Sequence, residues 1–440
     1  MFARLVPLLF LLPLAAPAQD VAVKADPFVQ AFVDQKRFQG SVLLAREGKP
    51  LFRKSYGLAN MEWDIANTPD TKFRLGSITK QFTSALILQL VEQGKVKLDD
   101  SIRKYYTESP AAWQAVTIHH LLSHQSGIPS YTDIPTFFEK MSGNARTPAE
   151  IVQLTQDQPL EFDPGTKYKY DNTGYILLGY VIEKVTGQSY EAQLHKAILD
   201  PLGMKDTGFD HYTKVLRHRA EGYQDSGGKL TRAPFLDMSL PYAAGSLYST
   251  VDDLLKWDQA LYGTQILRDD SKLKMWTANK SDYGYGWAIV KRYGEQAVEH
   301  GGGINGFNTM IIRIPEKKLV SVVLANVNTP STGEIAAGLL GMALGKDVEP
   351  PQTHTRVPLK AEDLKPFEGV YALNPNFKLT IKTEGDHLSA QATGQGSMRI
   401  DSMTPTRFFN DSINAEIEFE KDGSSLTLYQ NGAVLKFKRE

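Results

Sequence analysis

A proline-rich run, Val348-Glu-Pro-Pro-Gln-Thr-His-Thr-Arg-Val-Pro358, divides the chain into two stretches with different hydrophobic rhythms. Prolines this close together remove backbone donors that helices and sheets need, so the run reads as a linker. Upstream, both helical and strand periodicities occur. Phe28, Phe32 and Val33 fall on one side of a helix expected over 26–38. Strand-like runs at 41–45 and 51–56 follow, separated by Glu47-Gly48-Lys49-Pro50. From Ser77 the chain turns helical: Ile78, Phe82, Ala85, Leu86, Leu90 and Val91 make an apolar stripe, and Gly94 ends it. A second such helix is expected over about 173–185, closed by Gly187. The β-branched run 319–327 has the continuity of a strand covered on both faces, and helical spacing resumes over 333–344.

Downstream of the prolines the period falls to two. Phe377, Leu379 and Ile381 alternate with polar residues, as do Ala415, Ile417 and Phe419, then Leu426 and Leu428. Asp422-Gly423 and Asn431-Gly432 are hairpin turn signals. The C-terminal part is therefore expected to be a small antiparallel sheet or barrel. A length of 440 residues suits more than one domain. The expected division is a signal peptide at 1–18, a main domain at 19–347, a linker at 348–362 and the β domain at 363–440.

The N-terminus reads as an export signal. Arg4 supplies a positive charge, residues 5–14 are apolar, and Ala16-Pro17-Ala18 has the small-x-small pattern of a cleavage site. The apolar run is too short to span a bilayer, and Pro7 and Pro13 interrupt it. The expectation is a periplasmic or secreted protein with no stable membrane insertion once the signal is removed. The formal net charge of -1, without a basic block, argues against nucleic acid as partner. With no cysteine in the chain, disulfides, a thiol nucleophile and Cys-ligated metal are all excluded.

A serine hydroxyl becomes a useful nucleophile only with a base beside it and a site for the oxyanion. No G-x-S-x-G elbow is present. S-x-x-K occurs at Ser77, Ser101, Ser226 and Ser271, but only Ser77 opens a long amphipathic helix, in Gly76-Ser77-Ile78-Thr79-Lys80-Gln81-Phe82. There the hydroxyl sits among free backbone N–H groups, and Lys80 lies on the same helix face. An N-cap serine followed by a surface lysine would produce the same letters. A second element, Tyr170-Asp171-Asn172, directly precedes the other long helix. Tyr170 could serve as base if a cation stabilised its phenolate, and Asn172 offers both a donor and an acceptor. A third, Glu299-His300-Gly301-Gly302-Gly303, follows a strand-like stretch and would let backbone come close to a ligand.

In this order the three elements resemble the serine β-lactamase and penicillin-binding-protein superfamily, in its class C and DD-peptidase, D-aminopeptidase and esterase branch. Leu121-Leu-Ser-His124-Gln-Ser-Gly127-Ile128, Ala243-Ala-Gly-Ser-Leu-Tyr-Ser-Thr250 and Tyr283-Gly-Tyr-Gly-Trp287 carry the likeness further, over roughly 27–345. The resemblance implies an α/β fold: an antiparallel sheet flanked by helices, a helical subdomain and, after it, a lipocalin-like C-terminal barrel. It also implies Ser77 as nucleophile, with Lys80 and Tyr170 moving protons. Asn172, His300, Gly301, Gly302 and Gly303 would bind substrate, with oxyanion donors from Ser77 and Gly303. How the base role divides between Lys80 and Tyr170 stays open.

No cofactor is implied, and the partner would be a small-molecule or peptide substrate. His119, His120 and His124 cluster, and the latter two have the i, i+4 spacing zinc can use, but no third ligand stands nearby and no metal is expected. One departure bears on specificity. Where classical β-lactamases have Lys-Thr-Gly, this chain has His300-Gly301-Gly302, which offers no permanent charge to a substrate carboxylate. The expected function is hydrolysis of an ester, amide or D-amino-acid peptide through a Ser77 acyl-enzyme, with weak β-lactam turnover. The alternative is a non-catalytic or dead-end acylated binding protein.

Overall fold

The computed structural model describes residues 16–440 apart from 226–228, 352–353, 376, 394–395, 414 and 431–432. Residues 1–15 of the expected signal, Ser226 and the Asn431-Gly432 turn thus lie outside it. The described chain forms two compact units. One takes the chain up to Val29 and from Phe38 to Val348; the other takes Gln30–Arg37 and Glu349–Glu440.

The first unit is built on a six-stranded antiparallel sheet. Its strands are β1 (Gly40–Arg46), β2 (Lys49–Tyr56), β3 (Ala288–Arg292), β4 (Glu295–Ile304), β5 (Phe307–Ile314) and β6 (Leu319–Ala325), in the order β3-β4-β5-β6-β1-β2. Arg46 pairs with Lys49, so the first turn is only Glu47-Gly48, both at positive φ. That is the turn whose twist matches a hairpin. Pro50, expected in the turn, instead sits in β2, where a register shift and the edge position tolerate its missing N–H.

All seven residues of β6 are buried, because helices cover both faces of the sheet. The long helices are α1 (Ala16–Asp34), α2 (Thr79–Glu92), α3 (Asn172–Thr186), α4 (Val251–Ala260) and α5 (Ser331–Ala343). α1 starts earlier and stops sooner than the spacing suggested; the chain turns at Lys36, which takes a φ of 58°. Its Phe28 packs so closely on α5 that a Cβ at Gly338 would lie 2.3 Å from the ring. α2 ends at Glu92, with Gly94 following at φ 69°, and α3 ends on Gly187 at φ 67°. Both glycines stop the helices by taking the left-handed conformation.

Alternation along β5 sends Met310 toward Gly333 of α5 and Arg313 toward α4. The Arg313 and Asp258 side chains are fully buried and joined at 2.5 Å, with Tyr262 and Trp276 rings about the guanidinium. On the helical side, Phe82 of α2 stacks on Trp257 of α4 at 4.4 Å, inside one continuous core that also holds α3.

The second unit carries an eight-stranded closed barrel of β7 (Gly369–Asn374), β8 (Phe377–Glu384), β9 (His387–Ala392), β10 (Ser397–Ser402), β11 (Arg407–Asn410), β12 (Ala415–Phe419), β13 (Ser425–Gln430) and β14 (Ala433–Arg439). Each strand pairs with the next, and β14 closes on β7 through Tyr371 and Ala372. Alternate residues, among them Ile381, Leu388, Phe408, Ile417, Phe419 and Phe437, fill the interior. The Asp422-Gly423 turn forms as expected, with Gly423 at φ 67°. No helix among the described residues is long and apolar enough to cross a membrane.

Removing one partner of a buried ion pair strands the other charge. Asp258→Ala is therefore expected to cost about 3–5 kcal/mol, read as a lower urea midpoint. A midpoint within error of wild type would show that Arg313 finds another acceptor.

Candidate active site

α2 begins after a single 3-10 turn, Gly76–Ile78, and this turn sets Ser77 and Lys80 on one side. Ser77 is half-buried, whereas Lys80 is fully buried at the start of the helix. The Lys80 Nζ donates to Ser77 Oγ at 3.0 Å, to Asn172 Oδ1 at 2.9 Å and to the Ala244 carbonyl at 2.9 Å. Three N–H bonds thus meet three acceptors from three segments. Burial lowers the Lys80 pKa to about 7, with Asp171 opposing the shift. The other S-x-x-K lysines that are described stand elsewhere: Ser101 caps a short 3-10 turn and Ser271 lies inside a short helix.

Tyr170-Asp171-Asn172 enters the site as the start of α3. Asp171 is its N-cap, accepting from the Gly174 N–H at 3.0 Å. Asn172 is held by a loop that sequence reading did not single out: its N–H donates to Ser130 Oγ at 3.1 Å and its Nδ2 to Thr132 Oγ1 at 3.0 Å. Because Nδ2 is so engaged, Oδ1 is left to face Lys80. The Tyr170 ring lies with its centroid 4.7 Å from Lys80 Nζ. Its hydroxyl is buried with no hydrogen bond of acceptable geometry. Burial drives its pKa well above 10, offset in part by the nearby Ser77 hydroxyl. Burial likewise pushes Asp171 up to about 7, against hydrogen bonds from Ser126 and the α3 N-terminus and the charge of Lys80.

The third wall is β4. β3 pairs with β4 only as far as Glu299, so His300 to Gly303 run on without a β3 partner. There the Gly76-Ser77 turn comes in: a Cβ on Gly76 would lie 3.1 Å from the Gly303 nitrogen. The expected short strand therefore continues through all three glycines as far as Ile304. Their requirements differ. A Cβ on Gly302 would meet the Leu75 carbonyl at 1.9 Å, whereas one on Gly301 would make only ordinary contacts. His300 Nδ1 faces the Gly301 carbonyl at 2.5 Å, so it carries the proton, and Nε2 accepts from the Tyr283 hydroxyl at 2.8 Å. Burial and the Lys80 charge hold its pKa down at about 4, leaving a neutral imidazole at pH 7.

His124, read first as part of a histidine cluster, packs its ring 4.3 Å from that of Tyr170, and its Nδ1 accepts the Asp171 N–H. Burial keeps it neutral. His119 instead bonds the Tyr285 hydroxyl, and His120 completes the cap at Thr117. Each ring thus has a structural partner of its own. Beside Ser77 opens a cavity of about 380 Å³, walled by Tyr131, Phe137, Phe138, Leu236 and Leu240 and floored by Asn172, Ala244 and Gly303.

A serine and a buried lysine on one helix turn, an asparagine from a second helix and the glycine strand form one constellation. The family model described as Beta-lactamase matches residues 25–343. The chain belongs to the Beta-lactamase family. It is a serine hydrolase of the β-lactamase-related type. Penicillin-binding protein 4* of Bacillus subtilis (strain 168) is 29% identical over 432 residues, covering 91% of this chain and 94% of that protein. The octameric penicillin-binding protein homologue from Pyrococcus abyssi is similar over 94% of this chain and 99% of its own, with a TM-score of 0.68 and 30% identity. A D-stereospecific amidohydrolase from Streptomyces sp. superposes with a TM-score of 0.62 at 25% identity, over 76% of this chain and 100% of its own.

The glycine geometry of this family member gives a paired expectation. Gly302→Ala should abolish hydrolase activity and lower Tm, because the Leu75 carbonyl one residue before Gly76 must move. Gly301→Ala should keep at least half of wild-type kcat/KM, about 0.4 kcal/mol of transition-state binding at most. Equal losses in the two variants would contradict the steric account.

Proposed function

We propose that the protein is an exported hydrolase that opens esters, amides or D-amino-acid peptides through an acyl-enzyme on Ser77. The observation that carries this reading is the hydrogen-bond set of Lys80. Neutral, its amine has two N–H groups and one lone pair. The Ala244 carbonyl and Asn172 Oδ1 can only accept, so they take the two N–H groups. The lone pair is left toward Ser77 Oγ at 3.0 Å, where it receives the hydroxyl proton as Oγ attacks the substrate carbonyl. A pKa near 7 makes the neutral amine available at neutral pH.

Tyr170 is protonated at rest, so it serves as a proton carrier to the leaving group rather than as the first base. The N–H groups of Ser77 and Gly303 hold the oxyanion, which the close approach of Gly76 to Gly303 supports. Water then hydrolyses the acyl-enzyme, with Lys80 or Tyr170 taking its proton. Asn172 positions the substrate amide or ester. The apolar cavity beside Ser77 suits an acyl group or side chain of aromatic size. The D-stereospecific amidohydrolase supports the D-amino-acid side of this range. Neutral His300 gives a β-lactam carboxylate no charge to bind, which supports weak β-lactam turnover. Arg4, the apolar 5–14 run and Ala16-Pro17-Ala18 support export.

Nitrophenolate release from p-nitrophenyl acetate should vanish in Ser77→Ala. In wild type, kcat/KM should rise with pH through an apparent pKa near 7, since only unprotonated Lys80 can take the proton. Asp171→Asn removes a charge that raises the Lys80 pKa, so the rising limb should move to lower pH. Release that persists in Ser77→Ala, or a pH-independent rate between 5 and 9, would refute this mechanism. An acyl-enzyme that accumulates without turnover in intact mass spectra would convert the reading into that of a dead-end binding protein.

Benzylpenicillin hydrolysis should be at least about 100-fold slower in kcat/KM than that of the best ester, a difference of about 2.7 kcal/mol. Comparable rates would overturn the inference drawn from His300. N-terminal sequencing of protein recovered from outside the cytoplasm should begin at Gln19.

A further inference from the structure

Beyond the serine cleft lies a second cavity of about 420 Å³, and Asn305 lines both. Its lining carries three arginines, Arg74, Arg219 and Arg232, and one carboxylate, Glu221. Behind it, the Asp210 side chain is almost wholly buried. Its Oδ2 accepts from Arg74 Nε at 2.7 Å and its Oδ1 from Arg219 Nη1 at 2.9 Å. One carboxylate therefore fixes two guanidiniums, using one N–H of each. Among the described residues no further hydrogen bond is made by their remaining nitrogens; Arg74 lies over the Phe307 ring at 5.9 Å, and both arginines line the cavity. Arg232 is matched by Glu221 at 2.8 Å. Two guanidiniums on one carboxylate leave one positive charge uncompensated.

A cross-link between chain segments needs only one arginine on Asp210. A second guanidinium that lines a cavity has further N–H groups to offer an oxyanion. Exposed Tyr212 and Phe235, ring to ring at 5.3 Å, stand at the rim. The second guanidinium on Asp210 matches a monoanion, and Glu221 in the lining, with Glu62 close enough to act on Arg232, opposes a dianion such as phosphate.

We propose that this pocket binds a carboxylate of the substrate, on the portion that passes Asn305 away from Ser77. The proposal rests on the hydrolase reading of the Ser77 site and refines its substrate class. The acid group is read not at the His300 wall beside the scissile bond but farther along the chain of the substrate. An acidic ester or peptide then fits where a β-lactam, with its carboxylate close to the scissile bond, does not.

The test is a fluorescence titration of the full chain with dansylglycine and with dansylglycinamide, which differ only in the carboxylate. Dansylglycine should bind at least about tenfold more tightly, a difference of about 1.4 kcal/mol. Arg219→Gln should bring it to the level of the amide while p-nitrophenyl acetate hydrolysis stays near wild type. Because the cavities adjoin, dansylglycine should raise the KM of an ester carrying an ω-carboxylate on its acyl group without lowering kcat. Equal binding of the two probes, or a selectivity that survives Arg219→Gln, overturns the proposal. Purely non-competitive inhibition overturns its placement on the substrate path. Loss of ester hydrolysis in wild type would sink the hydrolase reading alone, since the binding comparison needs no turnover.

Discussion

An ammonium taken out of water costs several kcal/mol unless its protons find acceptors, and Lys80 is fully buried. Its three acceptors come from three segments: Ser77 in the 3-10 turn just before α2, Asn172 at the start of α3 and the carbonyl of Ala244. Each must be held to within tenths of an ångström for the lysine to be satisfied. Much of the surrounding structure can be understood as fixing them. Ser130 and Thr132 lock the Asn172 amide, Asp171 caps α3, and the short helix Tyr242–Gly245 presents the carbonyl. The same burial that makes these bonds necessary lowers the lysine's pKa to where it can lose a proton. Stability and chemistry therefore pull in opposite directions at this one nitrogen.

The sheet answers a second constraint, bringing backbone against backbone. β4 reaches the serine turn only because β3 stops at Glu299 and because Gly302 has no side chain to strike Leu75. On the far side, Gly286 lies against the Lys80 carbonyl, where a Cβ would come within 2.7 Å. The start of α2 is thus gripped between two glycine-lined surfaces. Such packing would give the proposed oxyanion donors a fixed spacing that side chains with free rotamers would not. The buried Arg313–Asp258 pair ties the sheet to α4, whose Trp257 stacks on Phe82 of the same helix, α2.

Much of this was legible because helices and strands announce themselves by period. The α2 stripe, its Gly94 stop, Gly187, the fully buried β6 and the alternating barrel strands all appear where hydrophobic spacing placed them. The boundaries of α1 and β4 were not legible. α1 extends through Pro27 because tertiary packing of Phe28 and Phe32 outweighs the proline, and β4 continues through three glycines because pairing with β5 carries it. At the site, Ser77, Lys80, Tyr170, Asn172 and the glycines do come together. What sequence could not supply is the supporting cast. Ser130 and Thr132, which bond each other as well as Asn172, are marked by neither period nor spacing; Ala244 and Tyr283 lie in segments that carry the family likeness, but their bonds to Lys80 and His300 do not show there. His124 stood out both in the histidine cluster and in the Leu121–Ile128 likeness; in space it packs on Tyr170 and Tyr283 and accepts the Asp171 N–H.

The two walls of the cleft divide the work of recognition by charge. Near the serine, His300 is neutral, Tyr170 is protonated and the cavity wall is aromatic, so nothing there rewards an anionic substrate. Placing a permanent cation at His300 would raise the cost of a charged Lys80, which already depresses that imidazole's pKa. A lysine with the proposed base role, which must shed its proton near neutral pH, is better served by a neutral neighbour. Charge recognition is then best located where a cation can keep its own counter-ion, as Arg74 and Arg219 do with Asp210. The separation follows from electrostatics: the closer a fixed positive charge stands to Lys80, the lower the lysine's pKa and the weaker the base it becomes.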